Sequence, residues 1–156
     1  MSKPSPRPPT GTAFLLTQLG THAAQRFGER LSKINLIPAH AGILRMIGRS
    51  DECNQQQLAE RLGALPSRIV TLIDELEGKG LLKRRRSKSD RRAYALVLTK
   101  RGHQTLGVIG KLAADHEADL CAALTEDELA TLASLCRKVA EHQGLKSGVH
   151  PGYRDL

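Results

Sequence analysis

Ten basic residues fall between Lys79 and Arg101: Lys79, Lys83, Arg84, Arg85, Arg86, Lys88, Arg91, Arg92, Lys100 and Arg101. Only Asp90 opposes them, which puts this stretch at +9 within a chain whose total is +8 with histidines neutral. The rest of the molecule is therefore near neutral. A solvated surface would intersperse acids among the bases, whereas one concentrated strip suits a polyanion, most often nucleic acid. Aromatics are 3% of residues and Trp is absent, so there is little to stack on single strands or RNA bases.

Enzymatic chemistry has no comparable foothold. No H-E-x-x-H, G-x-S-x-G, glycine-rich phosphate loop or paired catalytic carboxylates stand out, so the chain is not expected to be an enzyme. Cys53, Cys121 and Cys136 are widely spaced with no C-x-x-C pair, which indicates neither a disulfide framework nor a thiolate zinc site. Neither a cofactor nor a metal is expected. Cys53 adjoins Asp51 and Glu52, acids that raise rather than lower a thiol pKa. No apolar run approaches the roughly 20 residues of a membrane span, and the polar, Pro-rich Met1 to Thr10 lacks the apolar core of a signal peptide. A cytoplasmic protein with no membrane partner is the expectation.

The elements that must carry the basic strip are mostly helical. Leu15, Leu19, Ala23, Phe27 and Leu31 recur every fourth residue and predict a helix from about Thr12 to Lys33. Pro38 can open a second helix bearing Ile43, Leu44 and Ile47. Asn54 is the natural cap of a third, with Leu58, Ala59 and Leu62, which Gly63 should end. Pro66 starts a fourth, with Ile69, Leu72, Ile73 and Leu76 on one face and Ser67, Arg68 and Thr71 opposite. Leu81 to Arg84 and Tyr94 to Leu98 read as strands around a polar tip, Arg85 to Arg92, with Tyr94, Leu96 and Leu98 on one face and Ala95 and Val97 on the other. Thr99 caps a helix running to about Ala123, and T-x-x-E at Thr125 to Glu128 opens the last one. No period marks the residues after Gly144.

The expected fold is mainly α with a small β-hairpin wing: a winged helix-turn-helix flanked by dimerisation helices. Residues 1–11 are a flexible N-terminal arm, 12–143 a single winged-helix domain and 144–156 a C-terminal tail. Within the domain, about 36–98 is the DNA-binding part, and about 12–34 and 99–143 the dimerisation part. The first and last helices carry more apolar stripe than a small winged core covers, and a homodimer accounts for the excess.

The segments Leu58-Ala59-Glu60-Arg61-Leu62-Gly63, Val70 to Leu82, and Asp90-Arg91-Arg92-Ala93 followed by Leu98-Thr99-Lys100-Arg101-Gly102 resemble the MarR (multiple antibiotic resistance regulator) family. Leu36-Ile37-Pro38-Ala39-His40 resembles the segment opening that family's second helix. Leu65 departs from the pattern, standing where Ser or Thr often caps the recognition helix. The resemblance implies a homodimeric transcription regulator on a pseudo-palindromic duplex operator, commonly a repressor released by a small anionic or aromatic effector. Thiol- or metal-responsive regulators of the same fold, and RNA-associated winged helices, are the alternatives.

Arg68 can donate two hydrogen bonds to guanine O6 and N7 from the exposed helix face it shares with Ser67 and Thr71. Gln55 and Gln56, at a helix N-terminus, suit phosphate. Arg84, Arg85, Arg86 and Lys88 are expected phosphate contacts. The resemblance sends Arg91 or Arg92 into the minor groove, with Asp90 orienting one of them. His22, Arg26, His40 and His116 are the candidate effector residues, near the junction of the dimerisation and DNA-binding helices.

Overall fold

A computed structural model describes residues 11–50, 52–88 and 93–154. Residues 1–10 of the expected arm, and Asp90, Arg91 and Arg92 in the wing, lie outside the described residues. Six helices and one hairpin follow in order: α1 (Thr12–Ser32), α2 (Pro38–Gly48), α3 (Gln55–Leu62), α4 (Pro66–Gly78), β1 (Leu82–Arg86), β2 (Tyr94–Leu98), α5 (Lys100–Leu120) and α6 (Glu126–His142).

Local chemistry sets most of the boundaries. Asn54 accepts the Gln57 backbone N–H at 2.8 Å and Gln57 Oε1 accepts the Asn54 backbone N–H in return, closing a capping box on α3. Gly63 ends α3 at φ 65°, a left-handed turn that glycine adopts without steric cost. Leu65 provides no side-chain cap to α4, and Pro66 begins that helix where a missing N–H is harmless. Thr99 caps α5 through Gly102, and Thr125 with Glu128 forms the capping box of α6.

One core gathers α2, α3, α4 and the hairpin. Ile43, Leu44, Leu58, Ile69, Leu72, Ile73, Leu76 and Leu82 are fully buried, joined by Leu31 at the end of α1. The hairpin is antiparallel, with Leu82 opposite Leu98 and Arg86 opposite Tyr94. Its first strand therefore runs two residues past the expected Arg84. Arg85 and Arg86 belong to β1 rather than to the tip, because pairing with Ala95 and Tyr94 satisfies their backbone groups. Leu96 also donates to the Cys53 carbonyl at 2.7 Å, a rung that ties the α2–α3 loop to the wing. The alternation expected of β2 is incomplete, since Ala95 and Leu96 are both buried. Helix α5 stops at Leu120 rather than Ala123, and a turn covers the difference.

The α4–wing–α5 junction is tight. Thr99 donates its backbone N–H to the Leu81 carbonyl at 3.1 Å and its hydroxyl to the Gly80 carbonyl at 2.7 Å. A Cβ on Gly102 would lie 1.9 Å from the Leu81 carbonyl oxygen, so only glycine permits this approach. By contrast, α6 contains no buried residue, and Leu31 is the only one in α1.

Candidate nucleic-acid interface

Helix α4 turns its apolar side to the core, and Ser67 and Thr71 are exposed on the other. Arg68 sits deeper than its spacing implies. It is half-buried, and its Nε is shielded with no hydrogen-bond partner among the described residues.

The wing does not present its arginines uniformly. Strand alternation sends Arg84 and Arg86 to one face, opposite Leu96 and Tyr94, and Lys83 and Arg85 to the other. Arg84 is committed inside the protein. Its guanidinium pairs with the Glu77 carboxylate, donates to Asp74 Oδ1 at 2.6 Å and reaches Gln55 Oε1 at 3.5 Å. The hydrogen bond to Asp74 leads the causes that raise its pKa further. Arg84, expected at phosphate, here braces the wing to α4. Arg86 stacks over the Tyr94 ring at 5.7 Å, a cation–π arrangement.

On the opposite face Glu52, which the sequence reading valued only as a neighbour of Cys53, anchors the wing. Its carboxylate accepts the Ser87 hydroxyl at 2.8 Å and the Lys88 backbone N–H at 2.9 Å, with Arg85 3.8 Å away. No local signal announces this, because the partners are some 35 residues distant. A cleft of about 340 Å³ separates the wing from the N-terminus of α3, lined by Asn54, Gln55, Gln56, Arg84, Tyr94 and Leu96. Gln56 is exposed above it and donates to Glu60 at 3.2 Å.

The four candidate effector residues divide. His22, Arg26 and His116 share one neighbourhood on α1 and α5. Burial lowers the His116 pKa, and the nearby Arg30, Arg26 and His22 add to it against Asp119. Its ring lies 5.5 Å from that of Phe27. Arg30, absent from the expected set, pairs with Asp119 across these helices. His40 is elsewhere: it is 3% exposed, with Nε2 2.8 Å from the Glu75 carboxylate of α4. It belongs to the α2–α4 packing. Burial pushes the Cys53 thiol pKa up, only partly offset by Arg61. Among the described residues no group of three His, Cys, Asp or Glu could hold a metal, and no helix is long and apolar enough to cross a membrane.

A helix-turn-helix followed by a basic antiparallel hairpin, between longer flanking helices, is the architecture of a winged-helix transcription regulator. The MarR family profile matches residues 36–94. The repressor CouR, solved bound to a 23-mer DNA duplex, is 33% identical with a TM-score of 0.74, over 83% of this chain and 92% of that one. Apo MarR from E. coli is 25% identical with a TM-score of 0.71, over 83% and 96%. A putative transcriptional regulatory protein for the hcr operon of Thauera aromatica is 33% identical over 65% of this chain, the match spanning 61% of that relative's length. The chain belongs to the MarR family of transcription regulators.

Proposed function

We propose that this protein is a homodimeric, sequence-specific duplex-DNA-binding regulator, a cytoplasmic repressor relieved by a small anionic or aromatic effector. The observation that carries the reading is the basic hairpin fastened beside a recognition helix with Ser67 and Thr71 exposed. Helix α4 would enter the major groove, where base edges are distinguishable. Arg68 would act there through its terminal nitrogens, because its Nε is shielded. Arg85, Arg86 and Lys88 would neutralise flanking phosphates, with Gln55 and Gln56 at the start of α3. Arg91 or Arg92 would enter the minor groove, with Asp90 orienting one of them. Two DNA-bound relatives support a duplex partner: CouR on a 23-mer duplex, and a mutant E. coli MarR complexed with operator DNA at 25% identity and TM-score 0.70.

Homodimerisation is supported by apolar faces that none of the described residues covers. Leu19 is 53% exposed on α1, Leu135 56% and Val139 49% on α6. Exposed apolar surface on helices of this kind marks an interaction site. In this reading 36–98 forms the DNA-binding part, and 12–34 with 99–143 the dimerisation part. His22, Arg26 and His116, with Arg30 and the Phe27 ring, offer cationic and aromatic groups to an anionic or aromatic effector.

Selection of bound duplexes from random DNA tests the reading. Recovery of two related half-sites about one helical turn apart, or a multiple of it, is expected. Recovery of no preferred duplex would overturn it.

A further inference from the structure

The residues after α6 carry no sequence period, yet they return across the molecule to the helix-turn-helix. Lys146 Nζ donates to the Glu60 carbonyl of α3 at 3.3 Å. Arg45 of α2 donates to the Gly148 carbonyl at 2.9 Å. Beyond these, a short 3-10 turn, Pro151–Arg154, delivers Tyr153, which is 6% exposed. Its hydroxyl donates to the Ala39 carbonyl, in the first turn of α2, at 2.8 Å. The ring fits because residue 42 is glycine: a Cβ there would lie 2.0 Å from the Tyr153 hydroxyl and 3.0 Å from Cζ. Arg154 passes 3.5 Å from the corresponding point on Gly63, the turn between α3 and α4.

We infer that Tyr153 is a positioning residue: with its tail it straps α2 and the α3–α4 turn to the end of α6, fixing how the recognition helix sits on the dimer frame. The inference rests on the proposed function for its DNA consequence, though not for the strap itself. In a symmetric dimer, the separation of the two recognition helices follows from the angle each lobe makes with the shared helices. Three contacts of different kinds, a buried phenol, a backbone carbonyl taken by Arg45 and a lysine on α3, hold that angle from the far end of the chain. None of these groups belongs to the basic strip, so the strap is separable from phosphate binding.

Three full-length variants test it. Tyr153→Ala removes ring and hydroxyl, and Tyr153→Phe removes the hydroxyl alone. Gly42→Ala expels the ring from the other side while placing a better helix former in α2, so it releases the strap without weakening that helix. Hydrogen exchange in the absence of DNA should show faster amides in the first turn of α2 and around Gly63 for Tyr153→Ala and Gly42→Ala. Tyr153→Phe should fall between these and wild type. On the duplex wild type selects, and on versions with one base pair added or removed between half-sites, wild type should discriminate. Tyr153→Ala and Gly42→Ala should narrow that discrimination by about fivefold or more, with an unchanged salt slope. Unchanged exchange in both would overturn the strap. Changed exchange with wild-type spacing preference would overturn the positioning role. Failure of wild type to select any duplex would instead overturn the proposed function, leaving exchange to decide the strap.

Discussion

His40 of α2 and Glu75 of the recognition helix meet at 2.8 Å through Nε2 and a carboxylate oxygen, and the other imidazole nitrogen accepts the Ile37 backbone N–H at 3.4 Å. That pair of bonds requires a neutral ring with its proton on Nε2. Burial accordingly lowers the pKa below its ordinary 6.5, and Lys79 and Arg68 add to this against the pull of Glu75. Burial also lowers that of His116. Between the lowered folded values and 6.5 the unfolded chain binds more protons, so stability rises with pH and is lost as pH falls through that window. The unfolding free energy from urea titration should drop on acidification from about pH 7.5 to 5.5, by at most about 1.4 kcal/mol per pH unit for each ring. His40→Gln should flatten the dependence; an identical slope would remove His40 from the account.

Arg84→Ala should behave as a structural lesion. The guanidinium joins the wing to Glu77 and Asp74, so its loss should cost about 1–2 kcal/mol of stability. The slope of log K against log salt should barely move, since a residue already paired releases few counterions from DNA. Denaturant titration beside a salt series of DNA binding checks both. A slope change of a full unit without destabilisation would return Arg84 to the phosphates.

Arg86→Ala and Arg85→Ala should not be equivalent. Arg86 shares the strand face that looks over the cleft beside Gln55, whereas Arg85 lies on the side held by Glu52. The first should flatten the salt slope by about one unit and the second by clearly less. Equal slopes would show that the two faces are electrostatically interchangeable.

Arg68→Ala should lower affinity for the selected duplex by about 1–3 kcal/mol and leave random duplex little affected. Equal losses on the two would identify a phosphate contact instead.

Leu135→Glu should dissociate the proposed dimer. The side chain is 56% exposed on a helix without a buried residue, so a carboxylate there disturbs nothing within one chain. Light scattering should give a monomeric mass with near-normal helix content. A dimer at micromolar concentration would place the interface elsewhere.

What the sequence announced and what it concealed divide by the reach of the interactions. Asn54, Thr99 and Thr125 declared their helix starts because a cap is made within three residues. Gly63 declared its turn through its own backbone. The winged-helix fold followed from apolar periods and from short connections. The ion pairs of Arg84 were not legible, because a cation in a basic run looks free until α4 and α3 bring Glu77, Asp74 and Gln55 around it. The contact of His40 with Glu75 was hidden likewise, its partner lying 35 residues away. Tyr153 gave no signal, since its acceptor is 114 residues distant and its tail has no period.

The knot that Thr99 and Gly102 tie with Gly80 and Leu81 makes the end of the recognition helix and the start of α5 a common pivot. Helix α5 has 21 residues and is thus a lever of about 30 Å. Glycine leaves no gap at its foot, and about 5° of rotation there would carry the far end about 2.6 Å. His116 stands on the long arm of that lever and the end of α4 lies at its foot, so a displacement of a few ångström at the one would correspond to only a few degrees at the other.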